Sequence, residues 1–225
     1  MVDKLDFRLY TVSINNKETE RKMKKAILGT IVAGAIAMSS AAQAFTIHNV
    51  GTVNAYSYNE LLNKHLKDEM EVWVGITDDG DKMVQFSLDG GLQTFKMQMY
   101  PNGHSKYPEV APASHYENWM TIINKTIEWS NVAKENKVDY EKGFDNGCKT
   151  AGYKCSASFS AWADGAKSTV HLDIEDSSNQ FINWKGQIPI AEVEKLKQIM
   201  TVGVPAKFQE LDAKPVVANK DELFK

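Results

Sequence analysis

Met23 to Ala44, MKKAILGTIVAGAIAMSSAAQA, constrains this chain more than any other stretch. Lys24 and Lys25 make a short positive start, Ala26 to Ala37 is apolar and uncharged, and the segment closes on Ala42-Gln43-Ala44, the small-x-small pattern of a signal-peptidase site. The apolar run is too short for a membrane-spanning helix, which needs about 20 apolar residues. The pattern predicts a cleaved, bacterial-type export leader over 23–44, with Phe45 as the first mature residue and the periplasm or the exterior as the working compartment. Residues 1–22 mix Asp3, Asp6, Glu18 and Glu20 with basic residues, unlike the short basic start of a leader. They read as a mis-assigned N-terminal extension with no part in the fold.

Removing residues 1–44 leaves 181 of the 225 residues, enough for one domain with a substantial core. It also removes seven Lys/Arg and four Asp/Glu, so the remainder carries 19 basic and 25 acidic residues, a net of −6 against −3 for the whole chain. An acidic exported protein does not fit nucleic acid, whose phosphates demand clustered Lys and Arg. No second long apolar run follows, so no integral membrane segment is expected after leader removal. Cys148 and Cys155 would meet an oxidising compartment, which predicts a disulfide closing a loop of about eight residues, worth roughly 2–3 kcal/mol. Their spacing is not that of a CxxC redox site.

Hydrophobic periodicity predicts an α+β fold in which antiparallel sheet from two βββα meander units carries its helices on one side. The domain spans 45–205, with halves 45–137 and 138–205 and a possible duplication between them. Ser57-Tyr58-Asn59-Glu60 matches a helix capping box, and Tyr58, Leu61, Leu62, His65 and Leu66 recur at helical spacing, which predicts a first helix. Glu71 to Met99 alternates as three strands, and Tyr100 to Ala113, with three prolines and His104, Lys106 and Tyr107, reads as a surface loop. A second capping box, Ser114 to Glu117, opens a long helix ending near Asn136. Val138 to Cys155 reads as irregular. Three further strands follow, then a helix from Pro189 that Gly203 and Pro205 end, and 206–225 is expected to be an extended tail.

Three sets of residues are candidates for function. His171, Asp173 and Glu175 alternate along one strand, which points an imidazole and two carboxylates to one face, the donor types of a partial metal site or an acid–base pair. Trp73 and Trp162 lie opposite the apolar faces of their strands and would stack on a carbohydrate or peptide if exposed. Lys149, Tyr153 and Lys154 sit in or beside the stapled Cys148–Cys155 turn, a preorganised contact element. No GxSxG elbow, HExxH helix, SxxK or phosphate loop occurs, so neither a cofactor nor a resident metal is expected. The leading expectation is a non-catalytic binding protein for a protein or small ligand. A periplasmic metal-assisted or acid–base hydrolase using His171, Asp173 and Glu175 is the alternative, and an envelope-assembly component with exposed sheet edges is the third.

Overall fold

The computed structural model describes residues 46–59, 62–89, 94–150 and 152–213, with the side chains of 179–182 left aside. The leader and the extension before it therefore lie outside the described residues, as do 214–225. Ala44–Lys225 is one compact unit. Eight strands, β1 (Ile47–Asn59), β2 (Lys64–Ile76), β3 (Lys82–Asp89), β4 (Thr94–Met99), β5 (Tyr140–Gly143), β6 (Tyr153–Trp162), β7 (Lys167–Asp176) and β8 (Asn179–Pro189), form one sheet. Their order is β4-β3-β2-β1-β8-β7-β6-β5, and every neighbouring pair is antiparallel. The helices are α1 (Ala113–Asn136), α2 (Ile190–Gln198) and α3 (Val204–Ala213), the last two joined by a π-helical turn, Ile199–Gly203. The fold is α+β with the helices on one face, as expected.

Alternation builds the core. Val53 and Ala55 of β1, Met70, Val72 and Val74 of β2, and Val84, Phe86 and Leu88 of β3 are all 0% exposed and face the helices. Trp119, Ile122 and Ile123 of α1 close on them from above, with Trp119 edge-on to Phe86 at 5.0 Å between centroids. Val193 and Leu196 of α2 and Phe208 of α3 join the same cluster. Burial of each large apolar side chain is worth about 1.5–3 kcal/mol, so the shared inner face holds the sheet and helices as one body. The sheet also curls around the helices. Phe95 of β4 packs on Tyr153 of β6 at 5.7 Å, and the Lys96 backbone N–H donates to the Tyr153 hydroxyl at 3.3 Å, although five strands lie between β4 and β6 in the sheet order.

Several elements differ from the sequence reading. The helix expected from Ser57 does not form. Those residues belong to β1 and β2, which pair from Ile47↔Gly75 to Asn59↔Lys64, and Tyr58 faces His65 across the pair. The apparent helical stripe is two strand faces folded back on each other around a turn that includes Asn63, whose φ is 47°. The capping box is overridden because strand pairing buries Val53 and Ala55, which a helix starting at Ser57 could not do. Each consecutive run of sheet holds four strands, not three. The stretch 138–155 contains β5. Helical structure continues past Gly203 and Pro205 to Ala213: Pro205 is the second residue of α3, directly after the π-helical turn, and buried Phe208 anchors the segment.

Candidate functional site

Among the described residues β1 and β8 meet over two residue pairs, Tyr56↔Gln187 and Ser57↔Gly186, so the two four-stranded runs touch at a narrow junction. Where the strands part, Glu192 at the start of α2 takes the place of a strand partner. Its carboxylate accepts from the Asn54 backbone N–H at 2.9 Å and from Asn54 Nδ2 at 2.6 Å. Burial alone would raise the Glu192 pKa. The two Asn54 bonds, helped by Lys195 and Lys67, bring it below the ordinary glutamate value.

Beside this junction, on the face away from the helices, a cavity of about 290 Å³ draws side chains from five strands. Tyr58 comes from β1, His65 from β2, Ser156 and Ser158 from β6, His171 and Asp173 from β7, and Lys185 from β8. The register explains the convergence: His171 lies between Ser158 and Gln187, and Asp173 between Ser156 and Lys185. Tyr58 and His65 stand ring to ring at 5.4 Å. Asp173 Oδ2 lies 3.5 Å from Lys185 Nζ, so their charges offset each other. His171 Nε2 is 2.7 Å from the Ser160 hydroxyl, which donates to it when Nδ1 carries the ring proton. Burial pushes the His171 pKa below the ordinary histidine value, His65 adds to the shift, and Glu141 opposes it. The imidazole is accordingly neutral at neutral pH.

His171 and Asp173 thus share one cavity, whereas Glu175 does not line it and pairs with Lys154 at 3.2 Å. Among the described residues no group of three or more His, Cys, Asp or Glu side chains is placed to hold a metal ion. Ser160, the partner of His171, is 2% exposed. Trp162 is 51% exposed. Trp73 is half-buried, its indole N–H donating to Glu71 at 3.0 Å. Three strands separate the two tryptophans in the sheet order, roughly 19 Å of sheet at about 4.8 Å per step, so they do not make a common platform.

The staple is formed: Cys148 and Cys155 are disulfide-bonded with Cα atoms 5.0 Å apart. Its loop is tied to α1, where Trp119 Nε1 donates to the Lys149 carbonyl at 3.0 Å and the Lys149 N–H donates to Asn118 Oδ1 at 2.8 Å. The Lys149 side chain remains exposed. Tyr153 is spent largely on the β4 contact.

Tyr58, His65, Lys185 and the three serines were not legible as site residues. The alternation Ser156-x-Ser158-x-Ser160 was the available clue, since it puts three hydroxyls on one strand face. A larger cleft, about 490 Å³, lies over β2 to β4 and is lined by Lys67, Asp68, Glu69, Glu71, Ser87, Asp89 and Thr94. Like-charged carboxylates dominate it, and it gathers fewer kinds of chemistry than the junction cavity. No family model, curated protein or solved structure matches the chain.

Proposed function

We propose that the chain is an exported, non-catalytic binding protein that holds a small, neutral, polar ligand of the sugar type in the cavity beside the β1–β8 junction. The observation that carries this reading is the convergence of an aromatic ring, two imidazoles, hydroxyls and an offset Asp173–Lys185 pair from five strands on one cavity. Neutral polyols need an apolar ring surface together with planar donors and acceptors, and Tyr58, His171 and Asp173 supply those groups. Absence of catalysis is favoured because His171, Asp173 and Glu175 each hold a separate partner, in Ser160, Lys185 and Lys154. Export is supported by the leader pattern and by the Cys148–Cys155 disulfide. Among the described residues no helix is long and apolar enough to cross a membrane. The same reading takes β1–β4 with α1, and β5–β8 with α2, as two related halves, with the ligand at their junction.

A calorimetric titration against a panel of mono- and disaccharides tests this. Binding by at least one neutral sugar is expected, weakened about tenfold or more in both Asp173→Ala and His171→Ala. Absence of binding across the panel, or binding indifferent to both variants, would sink the reading. A hydrolase is the second reading, favoured by the 2.7 Å contact between Ser160 and His171. It requires turnover of chromogenic esters or glycosides that Ser160→Ala and His171→Gln abolish.

A further inference from the structure

We propose that the groove between α1 and the edge strand β5 binds an extended, carboxylate-bearing peptide segment of another protein, added to the sheet as one more strand. This goes beyond the sugar-site reading and does not rest on it. β5 ends the sheet, and all four of its residues are exposed. The Phe144 N–H donates to the Ala157 carbonyl at 3.0 Å, in register with Lys142↔Phe159 and Tyr140↔Ala161. Alternation in an antiparallel ladder therefore turns the backbone N–H and C=O groups of Glu141 and Gly143 outward, away from β6. An outward-facing row of this kind is a template for strand addition. At the other end of the sheet the chain's own Tyr153 engages β4 through the Lys96 N–H.

The groove beside β5 has a volume of about 290 Å³. Its apolar wall is Trp129, stacked on Phe144 at 4.9 Å, with buried Ile122 further along α1. Lys125 and Lys142 stand over it, and the Lys142 ammonium lies 5.0 Å from the Trp129 ring centroid. Among the described residues Asp145 is the single carboxylate in the lining, and Lys125 also pairs with Glu128, an exposed contact of little strength. Two lysines against one aspartate, on an acidic protein, select a peptide with an acidic side chain over α1. A peptide strand would seat alternate side chains in this groove while its backbone pairs with Glu141 and Gly143.

A second copy is the weaker occupant. Two-fold pairing of β5 with itself must match outward-facing residues. The registers that pair three or more strand residues set Glu141 against Glu141 or Lys142 against Lys142, and like charges directly opposite destabilise a sheet.

Gly143→Pro makes the test specific. It removes an outward N–H and leaves the bonds to β6 intact, and a Cβ at this position meets nothing within 4 Å. A random seven-residue peptide library would be selected on the full chain, and the enriched peptides measured by fluorescence anisotropy. Enrichment in Asp or Glu is expected, with affinity lowered tenfold or more by Gly143→Pro and separately by Lys125→Glu/Lys142→Glu. Gly143→Ala should bind as the parent does. Affinity unchanged in both Gly143→Pro and the charge-reversed protein, or enriched peptides without acidic residues, would overturn the proposal. So would self-association in sedimentation that Gly143→Pro abolishes, which would make a second copy the occupant. If Gly143→Pro does not fold, the charge reversal decides alone. Sugar-site variants at Asp173 should leave peptide affinity unchanged, so failure of either reading is seen separately.

Discussion

His171 and Glu192 carry pH signatures of the same sign in different windows, and both follow from which protonation state the fold disfavours. The His171 pKa is lowered, chiefly by burial. Below about pH 6.5 the unfolded chain therefore takes up a proton that the folded site resists, and stability falls as pH drops through that window. The urea midpoint of the parent should fall between pH 7.5 and 5.5 by more than that of His171→Gln, the difference between the two isolating the imidazole. Glu192 is also lowered, but as an acid. Its contribution is present above the ordinary glutamate value of 4.5 and is lost as pH falls through the folded value. Glu192→Ala should cost about 1–2 kcal/mol near neutrality, because it strands the Asn54 N–H where β1 and β8 part. Chemical denaturation should find that penalty shrinking toward pH 3. Neither role was readable from residue type. His171 was identifiable as a candidate by alternation with Asp173, but its partner Ser160 and neighbour His65 come from other strands.

At the scale of elements, two identical-looking signals met different fates. Ser57-x-x-Glu60 and Ser114-x-x-Glu117 both match a capping box, yet the first lies where β1 ends, and the second lies just inside α1, whose N-cap is Pro112 with no side-chain cap bond. What distinguishes them is length. Residues 113–136 sustain an apolar stripe for 24 residues, and helix formation needs such length to outweigh its costly nucleus. Residues 57–68 offer only about three turns and gain more from pairing. Turn geometry is the other decisive element. Gly165, at φ +77°, lies where the β6–β7 turn passes under the end of α1, and a Cβ there would sit 2.3 Å from the Ala133 carbonyl carbon. Backbone on both sides leaves no room to give. Gly165→Ala should therefore destabilise by about 3 kcal/mol, read from the denaturation midpoint. Gly143→Ala, with open space around it, should be within about 0.5 kcal/mol of the parent.

Across the whole molecule, the disulfide is a local staple on a fold held by its core. Cys148→Ala/Cys155→Ala should lose roughly 2–3 kcal/mol, or about 5–10 °C in Tm, while the far-ultraviolet spectrum and the sheet persist. A collapse to an unfolded chain would mean that the loop organises the packing of Trp119 rather than tidying it. The sequence by itself determined the fold class, the alternating apolar sets of several strands, the long helix and the pairing of the two cysteines, because alternation, sustained helical period and a lone cysteine pair are local properties of the chain. It also carried the leader pattern on which the export proposal rests. Only the tertiary structure decided that 57–59 and 64–68 are strand and that the two runs of sheet meet at β1 and β8. The same is true of the cavity that joins His171 and Asp173 to Tyr58, His65 and Lys185. Those outcomes depend on strand order, which side chains far apart in sequence set by burying one another, and no window of the sequence contains that information.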